Sequence, residues 1–187
     1  LMFGIPEYRL PKEIVRREIK KIEELGVVFH CNTTVGTDIN IDQLFERGFD
    51  AIFMGTGTVK PKKPNIPGRN LKGVRQAVYF LRKVSLYNEG NIAREDVPIQ
   101  EGDRVFVIGA RTAIRMGAKD VEIVYHRTVN EMSALRSEYE EAVEEGVKFN
   151  WQSKIVEILD KDGILNGVVI EHNGERRTEK ADKVLMA

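Results

Sequence analysis

The stretch Arg104-Val105-Phe106-Val107-Ile108-Gly109, then Ala110-Arg111-Thr112-Ala113-Ile114-Arg115-Met116-Gly117, then Val121-Glu122-Ile123-Val124-Tyr125-His126-Arg127-Thr128 decides the fold. An apolar strand runs into a glycine, a short helix stops at Gly117, and a second apolar strand follows. That order is the skeleton of a dinucleotide-binding βαβ unit, in which glycines let the backbone approach a pyrophosphate resting on the helix N-terminus. The glycine signal is incomplete: Ala110, Arg111 and Thr112 follow Gly109, so two glycines of the usual fingerprint are absent. A structural strand-to-helix turn is the competing reading.

Geometry adds a tension. Twelve residues, Gly109 to Asp120, separate the two strands, and a parallel crossover needs at least about 10 to 12. A helix from Ala110 to Met116 spans about 10 Å, yet it must run back past a strand of roughly 16 Å. Residues are expected to be missing between Gly109 and Ala110.

The end of the second strand selects the nucleotide. Enzymes that use NAD usually place a carboxylate there for the ribose hydroxyls. This chain has His126, Arg127 and Thr128, with Arg136 further along. Two potential cations and a hydroxyl suit a 2′-phosphate, because a guanidinium grips phosphate oxygens in a forked geometry. Taken alone, a basic pair at a strand end is more often solvated surface. At this point of a βαβ unit, NADP is preferred over NAD.

Outward from this unit the pattern stays regular. The spacing predicts a helix over Ser133 to Glu145 with Leu135, Tyr139, Ala142 and Val143 inward, and Gly146 ends it. Strands are expected at Val147–Gln152, Ile155–Leu159, Ile164–His172, Arg176–Lys180 and Val184–Ala187, with Asn173-Gly174 as a type I′ hairpin turn. Upstream, Val74 to Leu86 has helical spacing and Asn88 to Asp103 reads as polar loop. Lys60 to Gly73 holds three prolines, two glycines and five basic residues without periodicity, which marks a domain boundary. Before it, a helix is predicted from Glu13 to Leu25 and a shorter one from Ile41 to Arg47, capped by Asn40 or Asp38. Val27–Cys31 and Asp50–Met54 read as strands, the second running into Gly55-Thr56-Gly57. The fold class is therefore α/β: a Rossmann-like, mainly parallel sheet with a β-hairpin excursion over 71–187, and a separate segment over 1–70.

Composition narrows the function classes. The 187 residues carry 29 Lys plus Arg against 29 Asp plus Glu, so no broad electrostatic surface for nucleic acid is expected. No apolar run approaches the roughly 20 residues of a membrane-spanning helix. One cysteine, Cys31, leaves no intrachain disulfide or cysteine-rich metal site, and a cytoplasmic location is the default. The opening at Leu1 and the apolar last residues suggest a piece of a longer protein.

Three stretches together resemble a known family. Gly4-Ile5-Pro6-Glu7-Tyr8-Arg9-Leu10-Pro11-Lys12, Asp50-Ala51-Ile52-Phe53-Met54-Gly55-Thr56-Gly57, and Val121 to Arg127 with Glu131-Met132 are similar to the small subunit of NADPH-dependent glutamate synthase. Related electron-transfer flavoproteins, such as the large subunit of ferredoxin:NADP transhydrogenases, form the wider group. The resemblance covers essentially the whole chain in order. It implies the middle of a two-dinucleotide flavoprotein, in which an NADPH domain interrupts an FAD domain and hydride passes from NADPH to flavin. Residues 1–70 then become a partial FAD-domain segment and 71–187 the NAD(P)H domain.

By that resemblance, Gly55, Thr56 and Gly57 form the turn near the flavin nucleotide, and Gly4, Ile5 and Pro6 lie close to the flavin. The paired arginines for the 2′-phosphate fall on His126 and Arg127, so one is a histidine, which charges only near or below about pH 6.5. Gly109, Ala110 and Arg111 stand where the family's glycine fingerprint meets its Ala-Arg-Thr-Ala helix, and the fingerprint itself is absent from the written sequence. The family's N-terminal half, with its FAD fingerprint and iron–sulfur cysteines, is absent too. FAD is thus expected in the intact parent and not tightly held by this chain, NADP(H) is the nucleotide, and an electron-accepting subunit or protein is the expected partner. A non-redox nucleotide-binding or docking module is the alternative.

No side chain is required as acid or base, since hydride transfer depends on positioning two rings. His30 and Cys31 would alternate faces on a strand, which argues against a metal pair. The run Glu138-Tyr139-Glu140-Glu141 reads as a solvated helix face, Trp151 as core, and Lys60, Lys62 and Lys63 as a charged linker.

Overall fold

The computed structural model describes residues 1–57, 64–107 and 111–186. Two compact units emerge: Leu1–Pro11 with Lys62–Ala187, and Lys12–Pro61. The division between the two units falls inside the connector that the prolines marked. The first eleven residues join the larger unit instead of the segment that follows them.

The larger unit is built on five parallel strands: β1 (Val74–Gln76), β2 (Arg104–Val107), β3 (Asp120–Val124), β4 (Lys148–Asn150) and the late strand that completes the sheet, Lys183–Met186. Between β4 and that strand, β5 (Ser153–Lys161), β6 (Ile164–His172) and β7 (Glu175–Lys180) form a separate antiparallel sheet, so the late strand is β8. The parallel order is β1-β8-β2-β3-β4. Register is in phase through Phe106, which lies between Glu122 of β3 and Val184 of β8.

Alternation along the strands sorts side chains onto two faces. Val105, Val107, Val121 and Leu185 pack with Phe80, Val84, Val97, Ile99, Ala113 and Ala142. Those partners come from α3 (Ala77–Asn88), the polar-looking loop after it, α4 (Arg111–Arg115) and α5 (Arg136–Glu144). Phe106, Val184, Met186 and Val74 face the other way, against Ile158, Leu165, Val168 and Ile170 of the antiparallel sheet. The parallel sheet is covered on both faces, by helices on one and by β5–β7 on the other. Phe80 and Phe106 are fully buried, each worth about 1.5–3 kcal/mol in transfer from water.

The hairpin excursion is thus a layer in its own right. Asn173 and Gly174 have φ of 50° and 84°, as a type I′ turn demands. Asp162 and Gly163, at 56° and 76°, make the same turn between β5 and β6, which the sequence reading passed over. Gly68 (φ +84°) lies so close to β5 that a Cβ would stand 2.1 Å from the Ile158 carbonyl oxygen. The Ile158 N–H donates to the neighbouring Pro67 carbonyl at 3.0 Å, which fixes the connector to the sheet.

Several expected elements differ. Val74–Gln76 is a strand rather than the start of a helix, because β8 pairs with it in parallel. Val97 and Ile99, in a stretch read as polar loop, are fully buried. Leu135 and Val143 of the α5 region are exposed, while Ala142 is buried and Tyr139 half-buried.

The smaller unit holds α1 (Lys12–Glu24) and α2 (Ile41–Glu46). Asn40 caps α2: its side chain accepts from the Gln43 N–H at 2.8 Å and the Gln43 side chain accepts from the Asn40 N–H at 2.9 Å. Val27–Cys31 and Asp50–Met54 are not strands. Apolar alternation suits a pleated surface, but a strand exists only when a neighbour takes its hydrogen bonds. Neither segment has one among the described residues, and Phe53 is 94% exposed.

A charged cluster lies between the two sheets of the larger unit. The Arg104 guanidinium on β2 meets Asp120 at 3.2 Å, Glu122 at 3.7 Å and Glu179 of β7 at 3.1 Å. Arg177 of β7 approaches Glu122 at 3.7 Å and donates to the Asn150 side-chain oxygen at 2.7 Å. Glu122 is 8% exposed. Burial raises its pKa above the ordinary carboxylate value, against the opposing pull of Arg104 and Arg177.

Candidate functional site

From β2 the chain proceeds outward to β3 and then β4, while β8 and β1 lie on the other side of β2. The strand order therefore reverses between β2 and β8. In open parallel sheets, ligands settle in the crevice beyond the carboxyl ends of the strands at such a switch point. A cavity of about 550 Å³ sits there, walled by Val107, Val124, Leu185 and Met186 from the strand ends and by Ile155 and Ile158 from β5. Its polar contributors are His126, Ser153 and Lys154. Lys154 is paired with Glu171 at 2.7 Å. Ser153 Oγ donates to the Trp151 carbonyl at 2.9 Å and lies 3.1 Å from His172 Nδ1, a pair bound into the β5–β6 sheet.

The loop after β3 is held firmly. The Tyr125 N–H donates to the Asn150 carbonyl at 2.9 Å, Ser153 N–H to Tyr125 at 3.0 Å, and Gln152 N–H to Arg127 at 3.1 Å. His126 and Arg127 are exposed on this pinned loop, and the Arg127 guanidinium is in no ion pair among the described residues. Thr128 closes the loop as a cap. Its hydroxyl and N–H both donate to the Glu131 carboxylate, at 2.7 and 3.1 Å. Those two bonds, with smaller help from Arg127 and His126, hold the Glu131 carboxyl below the usual range. The loop therefore presents two basic side chains and one ionised carboxylate, a feature sequence reasoning missed although Thr128-x-x-Glu131 has capping-box spacing.

Arg111 is committed elsewhere. Its guanidinium is 14% exposed. Nε donates to Glu145 at 2.8 Å, Nη2 reaches the same oxygen at 2.6 Å, and Nη1 is paired with Glu141. Arg115 adds two bonds to Glu145, at 2.7 and 3.1 Å, and the Tyr8 ring lies under both guanidiniums, 4.5 Å from Arg111 and 3.9 Å from Arg115. Arg9 pairs with Glu138 at 2.7 Å. With Glu140 paired to Arg136, all three carboxylates of the run Glu138–Glu141 are engaged in ion pairs, so it is not simply a solvated face. Glu138, Glu141 and Glu145 recur at i, i+3 and i+7, a single helix face that the spacing could have shown. This network ties α4 to α5 and to the first segment of the chain.

Arg136 pairs with Glu140 at 2.9 Å and lies over the Tyr139 ring. Gly109 and Ala110 lie outside the described residues, as do Lys60, Lys62 and Lys63. Ile5 and Pro6 line a second cavity, on the helix side of the sheet. Gly55, Thr56 and Gly57 belong to the smaller unit, exposed and in irregular chain. His30 and Cys31 are both exposed, and no cluster of metal-ligating residues occurs among the described residues. Trp151, read as core, is half-buried and stacked on Phe149 at 5.0 Å.

Residues 37–187 match the pyridine nucleotide-disulphide oxidoreductase family. The chain belongs to that family. A glutamate synthase [NADPH] small chain from Halomonas elongata is 34% identical over 96% of this chain and 41% of its own length. The NADP(+)-dependent formate dehydrogenase subunit beta of Moorella thermoacetica is 34% identical over 90% of this chain and 24% of its own. The chain spans less than half the length of these curated relatives. Among solved structures, a variant of FprA from Mycobacterium tuberculosis superposes with a TM-score of 0.76 at 17% identity, covering 98% of this chain and 60% of that one. That likeness establishes the α/β fold of this oxidoreductase family for nearly the whole chain. The resemblance drawn from Gly4–Lys12, Asp50–Gly57 and Val121–Met132 agrees with the relatives found.

Proposed function

We propose that the larger unit binds NADP(H) across the β2/β8 switch point, as the pyridine-nucleotide domain of a flavin-dependent oxidoreductase of the glutamate synthase small-subunit kind. The observation that carries this is the coincidence of an apolar cavity at the switch point with an exposed His126-Arg127 pair at the end of the next strand. The donor set fits a 2′-phosphate. A guanidinium and an imidazole stand on a loop fixed by three backbone hydrogen bonds, so little ordering is required on binding. Apolar strand ends give the rest of the nucleotide a surface from which water is excluded.

Within this reading Arg111 anchors the helix pair rather than touching phosphate, because its donors are already bound to Glu141 and Glu145. Thr128 holds the loop's shape. The Glu131 carboxylate repels an incoming phosphate and moderates the preference that Arg127 confers.

Nicotinamide cofactors supply a hydride to a flavin, which supplies the onward electron chemistry when bound. The described residues do not make a flavin cradle, since Gly55–Gly57 is exposed chain without a neighbouring strand. FAD, an electron-accepting partner subunit and a cytoplasmic site of action are accordingly proposed for a protein of the relatives' length. No helix among the described residues is long and apolar enough to cross a membrane.

The test is calorimetric titration of the 187-residue chain with NADPH and with NADH. NADPH should bind at least tenfold more tightly, and Arg127→Ala should erase the difference. Equal affinities in the parent chain would remove the basis for the NADP assignment.

A further inference from the structure

The loop that carries His126 and Arg127 takes its shape from the turn between β4 and β5. That turn is Trp151-Gln152, and Gln152 holds φ at 51°, a left-handed conformation that a residue with a Cβ adopts at a cost. Such a conformation persists where its surroundings over-determine it.

The restraint comes from the far end of β6. His172 is the last residue of β6 and stands opposite Ser153, the first of β5. Its Nδ1 lies 3.2 Å from the Trp151 carbonyl oxygen and 3.1 Å from Ser153 Oγ. The Ser153 side chain, in a residue only 3% exposed, donates to the same carbonyl at 2.9 Å. On the other side of the ring, Asn173 Nδ2 lies 3.1 Å from Nε2. An amide N–H that donates to Nε2 leaves the ring proton on Nδ1, directed at the Trp151 carbonyl.

Two donors therefore grip the oxygen of the Trp151–Gln152 peptide, and the N–H of that same peptide donates to the Arg127 carbonyl at 3.1 Å. A peptide group is planar and rigid, so fixing its oxygen fixes the direction of its N–H. A second link runs through rings: Trp151 meets Tyr125 edge-on at 6.0 Å, and Tyr125 lies 5.1 Å from His126.

We propose that His172 is a positioning residue for nucleotide recognition: through the Trp151–Gln152 peptide it sets the place of Arg127, and with it the preference for a 2′-phosphate. His172 does not line the crevice itself. Side chains that aim a binding group from behind govern its precision in this way. The inference rests on the proposed role of this loop in binding NADP(H).

Calorimetric titration of the 187-residue chain and its variants with NADPH and NADH tests it. His172→Leu keeps most of the bulk and removes both ring nitrogens. The preference for NADPH, at least tenfold in the parent chain, should fall below threefold, while the affinity for NADH stays within twofold. His172→Asn puts an amide N–H near the place of Nδ1 and should restore at least half of the preference. If His172→Leu does not fold, Asn173→Gly, which keeps the hairpin turn and frees the ring, should still lower the preference at least threefold. Equal affinities in the parent chain would remove the proposed function, and this inference with it. A parent that prefers NADPH, with a folded His172→Leu or Asn173→Gly that keeps the preference, would overturn the positioning role alone. Equal loss of both nucleotides, or a folded His172→Asn that restores nothing, would overturn it as well.

Discussion

The carboxylate of Glu145 is the point where the helix pair is most exposed to a single change, and Glu145→Gln tests it. In the parent chain Arg111 and Arg115 direct four N–H groups at Glu145, over 2.6 to 3.1 Å. The side chains of Arg111 and Glu145 are 14% and 23% exposed, so water replaces little of what is lost. Glutamine keeps the shape but removes the charge and turns an amide NH₂ toward the guanidiniums. Hydrogen bonds to charged groups contribute roughly 1.5–3 kcal/mol each when one partner is lost. Arg115 is 43% exposed and Arg111 keeps Glu141, which discounts the upper end. The expected cost is about 2 kcal/mol at pH 7, which in a chain of this size lowers the melting temperature by about 4–8 °C.

The pH dependence follows with a definite sign. The hydrogen bond from Arg115, then the bonds and charge of Arg111, hold the Glu145 carboxyl below its ordinary 4.5. A lowered folded-state pKa gives stability that is present above 4.5 and disappears as the pH falls through the lower folded value. Urea denaturation of parent and variant from pH 7 downward should show a gap that is constant to about pH 5 and narrows below it. A gap under 0.5 kcal/mol at pH 7, or one that does not narrow in acid, would refute the reasoning.

Other expectations are independent of this one. For Glu122 burial dominates and raises the pKa, so its ionisation opposes folding as the pH rises through that value. Glu122→Gln should therefore be neutral to stabilising at pH 7, with the difference vanishing below pH 4.5; chemical denaturation at both pH values measures it. Gly68→Ala should cost at least about 3 kcal/mol, since the new Cβ meets the Ile158 carbonyl at 2.1 Å on a backbone of φ +84°; thermal melts check it, and a variant within 2 °C of the parent counts against the close approach. The isolated chain should not reduce dyes with NADPH until a flavin-loaded partner is added. Turnover by the pure chain would show that it holds flavin unaided.

The larger unit was legible because its strands alternate cleanly. Val105/Phe106/Val107 and Val184/Leu185/Met186 each send neighbours to opposite cores, and that period survives in the sequence. Asn173-Gly174 was legible for a related reason, as few pairs adopt positive φ twice. Val97 and Ile99 were hidden because polar neighbours and Pro98 surround them, although their i, i+2 spacing is strand-like. The two apolar segments of the smaller unit misled because composition reports the fitness of a segment for a sheet and not the presence of a neighbour. At the site, His126 and Arg127 could be read from their place after a strand. The fate of Arg111 could not, because its acidic partners lie 30 and 34 residues further on and only the fold brings them near.

The position of β8 constrains the order in which this architecture is assembled. Among the described residues β1 has a single neighbour, β8, which also borders β2. Every other described element therefore leaves the ribosome before the central gap of the sheet can close. Until residues 183–186 emerge, β1 has no partner and one side of β2 offers open backbone groups to any passing strand. At translation speeds of about 5–20 residues per second, the roughly hundred residues between β1 and β8 keep that edge open for seconds. Nascent chains in which β8 has not yet emerged should be more protease-sensitive than chains in which it has, and the pairing of β8 with β1 and β2 should end that vulnerability in one step.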